Sequence, residues 1–142
     1  MEDIDDIRIV RPTGFRGITL PIMVTLRGTT AQAGANFTTP FFIANRNYSI
    51  FEVVERHEVA GSDGGAVTLQ IEKLGNGTAP GAGVESLTTA LSLKTTANTV
   101  QYGTIVKTSG QYLEKGEALT LKTSGTLTDL VGVTVHILLK AT

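Results

Sequence analysis

Cysteine and tryptophan are both missing from this 142-residue chain. Without cysteine there is no disulfide to staple the fold, and no thiolate to serve as nucleophile or metal ligand. That absence suits a reducing cytosol and is tolerated outside it, so the compartment stays open. Charge is also scarce, at 18% of residues, and the formal net charge is −1. Phosphate backbones and anionic membranes are held by a concentrated positive field, which this balance does not supply. Arg8, Arg11, Arg16 and Arg27 enrich the N-terminal region in positive charge, but Glu2, Asp3, Asp5 and Asp6 partly cancel them. No apolar run approaches the roughly 20 residues that span a bilayer. The acidic opening is the reverse of a signal peptide's basic start, so synthesis in the cytoplasm without a leader is expected.

What remains is apolar residues, threonine and glycine. The hydrophobic share is 41%, and sixteen glycines stand against four prolines, a composition of strands and tight turns. A single domain of this length buries about 70% of the surface its unfolded chain exposes, and needs neither metal nor disulfide to fold.

Alternation with a period of two is the dominant pattern. In Val131 to Lys140, the residues Val131, Val133, Val135, Ile137 and Leu139 point one way in an extended chain, with Gly132, Thr134 and His136 opposite. Leu20 to Arg27 repeats this with Ile22, Val24 and Leu26. Ala66 to Leu74 places Val67, Leu69 and Ile71 inward and Thr68, Gln70 and Glu72 outward. Further strands are expected at Thr38 to Ala44, at Asn98 to Lys107 and around Leu119 and Leu121. In the strand Tyr48 to His57, Phe51 and Val53 oppose Ile50, Glu52 and Val54. The spacing of Val84, Leu87 and Leu91 fits a short helix, in competition with a strand through Ala90 to Leu93. Turn residues at 45–47 and 61–65 and the glycine-rich loop 75–83 punctuate the chain. The pattern predicts an all-β chain: one β-sandwich over residues 19–142, jelly-roll-like, preceded by an extended N-terminal arm over residues 1–18.

Chemistry is hard to find. His57 and His136 fall in different strands, each facing away from the main apolar row, and read as surface residues. The glycines at 75, 77, 81 and 83 fail the dinucleotide fingerprint because position 80 is proline, and no Walker, His-Glu-x-x-His or Gly-x-Ser-x-Gly motif is present. The acidic start lacks the turn glycine and distal glutamate of a calcium loop. Three Asn-x-Ser/Thr sites, at Asn36, Asn47 and Asn76, are read as accidents of turn composition. No catalytic residue, metal or cofactor is expected. The residues that invite a partner are Ile4, Ile7, Arg8, Ile9, Arg11 and Phe15 in the arm, apolar and charged without periodicity, and secondarily Asn76, Thr78 and Pro80 in the glycine-rich loop.

Three segments carry a family resemblance. They are Phe51–Val54 with the turn 61–65 and Val67–Lys73; the loop Gly77–Gly81 leading to Leu91–Val100; and Leu113–Leu121 with the terminal strand Val133–Ile137. Together they resemble capsid decoration (cement, or head auxiliary) proteins of tailed bacteriophages and related fibre or spike domains. The resemblance implies a non-enzymatic protein on the virion's outer surface that binds the major capsid protein and reinforces capsomer junctions. It also implies a homo-oligomer, a trimer being preferred to a dimer. The alternative it leaves is a receptor- or glycan-binding domain of a fibre or spike. Sugar sites of that kind stack on exposed aromatics, and aromatics are 6% of this chain.

Overall fold

A computed structural model describes residues 18–29 and 39–142. Ten strands appear among them: β1 (Thr19–Thr29), β2 (Phe42–Ile43), β3 (Tyr48–Arg56), β4 (Thr68–Leu74), β5 (Val84–Glu85), β6 (Leu91–Ser92), β7 (Gln101–Tyr102), β8 (Tyr112–Leu113), β9 (Ala118–Ser124) and β10 (Val131–Ala141). The described residues hold no α-helix, only a 3-10 turn at Ser109–Gln111. The helical spacing around Val84, Leu87 and Leu91 therefore resolves as β5 and β6, with Leu87 buried between them.

All pairings are antiparallel, and they form two sheets. One runs β1-β10-β3-β7, with β8 also on β3; the other runs β2-β9-β4-β5, with β6 also on β4. The chain crosses between sheets at six of the nine connections, staying within one sheet only at β4-β5-β6 and β7-β8, which is the strand order of a jelly roll. The expected all-β sandwich is what the chain forms. Its core is the period-two rows meeting face to face: Val133, Val135, Ile137 and Leu139 from β10, Leu69 and Ile71 from β4, Leu119 and Leu121 from β9. Lys73 on β4 donates from Nζ to the carbonyls of Ser109 (2.7 Å) and Tyr112 (2.9 Å), joining the two sheets on the β5 and β8 side.

Strand β3 departs from the simple pattern. Leu138 faces Glu52 and Leu139 faces Ile50, so Phe51 is an extra residue with no partner on β10. This β-bulge shifts the phase of everything after it. Tyr48 and Ile50 point inward before it; Val53, Glu55 and His57 point inward after it, and Phe51 is 61% exposed. The expected pairing of Phe51 with Val53 on one face is thus corrected, and so is the surface placement of His57, which is fully buried.

Other strands are shorter than their patterns predict. Of the expected strand at 98–107, only Gln101–Tyr102 and an isolated bridge between Leu87 and Ile105 pair. The expected strand at 38–44 shows as Phe42–Ile43, Thr38 lying outside the described residues. One glycine in β10 is required by its surroundings. Gly132 has φ +67, and a Cβ there would lie 2.6 Å from Cδ of Glu58. Replacing it with Ala is expected to cost about 1–3 kcal/mol through left-handed backbone strain. The measurement is a urea melt in which the midpoint falls while the slope stays unchanged.

Candidate interaction surface

Buried polar side chains gather in two places among the described residues, the C-terminal end of β3 and the outer face of β4. Glu55 and His57 are both fully buried. His57 Nδ1 lies 2.8 Å from Glu55 Oε1, and its Nε2 lies 2.9 Å from the carbonyl of Thr95. Gln101 on β7 donates from Nε2 to Glu55 Oε2 at 2.5 Å and to the Ser92 carbonyl at 2.7 Å. The Asn98 amide donates to the His57 carbonyl at 2.7 Å. A carbonyl only accepts, so His57 Nε2 carries a hydrogen, and one further proton is shared between Nδ1 and the carboxyl group. The pair is neutral as a unit and satisfied on every side. Its work is to fasten the segment 92–101 onto β3. Together these bonds tie that segment to β3, so the cluster acts as a structural clasp.

A second clasp sits on β4. Gln70 and Glu72, expected to face solvent, are buried on the far side of their sheet. Between β5 and β6 the chain leaves β4, and Gln70 fills the gap in the ladder. Its Oε1 accepts from the Leu87 amide (2.9 Å) and its Nε2 donates to the Leu87 carbonyl (3.0 Å). Glu72 Oε1 accepts from the Gly81 amide at 2.7 Å, which holds the glycine-rich loop against the sheet. Lys122 donates to Glu85 at 3.0 Å and stands 3.9 Å from Glu72. The hydrogen bond to Glu85 raises the Lys122 ammonium above its ordinary value.

The loop 75–83 is therefore built rather than loose. The Thr78 amide donates to the Gly75 carbonyl (3.0 Å) and the Ala82 amide to Ala79 (3.1 Å), giving two successive turns. Asn76 and Pro80 are exposed at their tips, with Thr78 half-buried. The arm residues Ile4, Ile7, Arg8, Ile9, Arg11 and Phe15 lie outside the described residues.

Two surface features were not apparent from sequence. The first is the outer face of the β1-β10-β3-β7 sheet, where one cross-strand row reads Met23, His136, Val54, Tyr102. Met23 and Tyr102 are each 68% exposed, and Phe51 on the bulge stands on the same side. Beyond the end of that row, Arg56, Glu58, Asn98, Gly132 and Thr134 line a cleft of about 600 Å³. Arg56 Nη2 donates to Asn98 Oδ1 at 3.3 Å across it.

The second is the open edge of β1. Its only partner among the described residues is β10. The Ala141 amide donates to the Ile18 carbonyl at 2.8 Å, and the register continues from Thr19 opposite Lys140. Antiparallel pairs alternate between bonded and non-bonded. Even-numbered residues Leu20, Ile22, Val24 and Leu26 accordingly bond to β10, while Thr19, Pro21, Met23 and Thr25 aim their backbone groups outward. Of these four, Pro21 alone lacks an N–H.

Comparison with known proteins places this fold. No family model matches the chain, and no curated protein matches it. Among solved structures it is similar to a chain in the capsid asymmetric unit of cyanophage Pam1, with TM-score 0.52 and 15% identity over 91% of this chain and 89% of that one. It is also similar to a chain in the capsid of Ralstonia phage GP4, with TM-score 0.51 and 12% identity over 89% and 86%. At such identities the likeness is one of fold.

Proposed function

We propose that the protein is a non-enzymatic structural component of a bacteriophage virion, a decoration protein bound to the outer surface of the capsid. The observation that carries this reading is the near end-to-end match to chains in two phage capsid structures, each about nine-tenths covered. The buried polar groups support it, since Glu55, His57 and Gln101 are consumed in fastening one segment to another. A rigid sandwich presents a face with little ordering cost, and about 800 Å² per partner is enough for specific attachment. Repetition around a homo-oligomer, with a trimer preferred to a dimer, adds avidity. The contacts are the arm side chains Ile4, Ile7, Arg8, Ile9, Arg11 and Phe15, laid down on a neighbouring subunit of the particle. The turn tips Asn76, Thr78 and Pro80 are secondary contacts with the major capsid protein.

The test is cosedimentation of the full-length protein with particles that lack it. Binding that saturates at hundreds of copies per particle is the expected result. Saturation at a few dozen or fewer would favour the second reading, a fibre or spike domain. The exposed Tyr102 near the Arg56–Asn98 cleft is the observation that keeps a glycan-binding role in view.

A further inference from the structure

We infer that the open edge of β1 accepts residues 4–11 of a neighbouring copy of this chain as an added antiparallel strand. The inference rests on the reading above and narrows the arm's partner from any neighbouring subunit of the particle to a second copy of this chain. Four observations lead to it.

The edge is long and lightly guarded. β1 runs for 11 residues, and among the described residues its outer side is unpaired. Natural edges are blunted by charge, proline, bulges or brevity. In β1 the charge and the bulge lie at the far end, at Arg27 and the register shift between Leu26 and Thr29, and no charged residue occurs from Ile18 to Leu26. Pro21 removes one outward donor, leaving the amides of Thr19, Met23 and Thr25 and four outward carbonyls for a partner strand.

The sandwich is unfinished on this side. Leu20, Ile22, Val24 and Leu26 pack on the core yet remain half-buried. The facing sheet ends there in β2, two residues long, because Lys73 and the Leu87–Ile105 bridge join the sheets at the opposite edges. A strand added to β1 extends this apolar row.

The arm matches at its centre. Ile7 and Ile9 stand two apart and continue the inner row, with Asp5 and Arg11 at its two ends, which puts Arg8 outside beside the exposed Met23. The arm also has the reach. The 17 residues before Ile18 extend to about 55 Å, against roughly 36 Å for the length of β1 itself. Arm-to-edge contact is head-to-tail, and such contacts give a ring where the rotation between copies closes.

The lack of cysteine makes the test clean. Full-length Arg8→Cys and full-length Met23→Cys are purified, mixed and mildly oxidised. The expected result is a disulfide-linked heterodimer at least tenfold above a control mixture of Arg8→Cys with Lys107→Cys. Heterodimer at the control level, both with Met23→Cys and with a second edge variant, Thr25→Cys, overturns the inference. So does a doubly substituted chain, Arg8→Cys with Met23→Cys, that closes only on itself, because the arm then lies on its own edge. Homodimers of Met23→Cys without heterodimers also overturn it, by pairing β1 with β1. Counting copies on particles separates the two claims. Decorated particles without cross-links remove the exchange and keep the decoration role. Cross-linked oligomers that never bind particles remove the decoration role and keep the exchange.

Discussion

Replacing His57 with Ala is expected to destabilise the fold by about 3–5 kcal/mol, the range found when one partner of a buried ionic pair is deleted. Glu55 would keep its place at full burial with Gln101 as its remaining side-chain partner, and the Thr95 carbonyl would lose its donor. The loss falls on the 92–101 segment first, because His57 and Glu55 are what tie it to β3. Urea unfolding of the variant measures the effect. A companion variant that replaces both members, Glu55→Leu with His57→Phe, should lose less than the single change, since no buried carboxylate is then left without its partner, although the Thr95 carbonyl still loses its donor and Gln101 keeps only the Ser92 carbonyl. Equal losses in the two variants would mean the pair contributes packing alone.

The second large effect is in the core. Ile137 is fully buried midway along β10, paired with Ile22 on one side and Val53 on the other. Truncating it to Ala removes three carbons from a site surrounded by strands that are held in register on both sides. Collapse around the void is limited, so the expected cost is about 2–5 kcal/mol, again read from the urea midpoint. A change at the exposed end of the same strand, Lys140→Ala, should stay within about 0.5 kcal/mol.

Ile137 also shows why part of this fold was legible in the chain. β10 and β1 bury one apolar row each, and β4 alternates in the same way along its sequence, so the inward rows of all three are stated directly by the sequence. β3 did not yield, because a single unpaired residue, Phe51, inverts the alternation, and nothing in Ile50-Phe51-Glu52 marks a bulge. Once the phase is shifted, Val53, Glu55 and His57 form an inward row, and the Glu-x-His spacing becomes a signal for a buried pair. Gln70 and Glu72 were misplaced for a different reason. They do occupy the outer face of β4, but the 75–87 segment folds back over that face, a non-local event that period-two reasoning cannot register. The same limit explains β5 and β6, where Leu87 is buried by the gap between two short strands and not by a helical face. The interaction surface was the least legible part. An unpaired edge and an exposed cross-strand row are properties of strand order, and order is not written in any one segment.

The virion reading is tested most directly by imaging purified particles of the parent phage with and without this protein. The account predicts small, repeated densities on the outside of the head shell, each fitted by the sandwich, that vanish when the protein is omitted. Densities confined to the tail, or a particle unchanged by the omission, would contradict it.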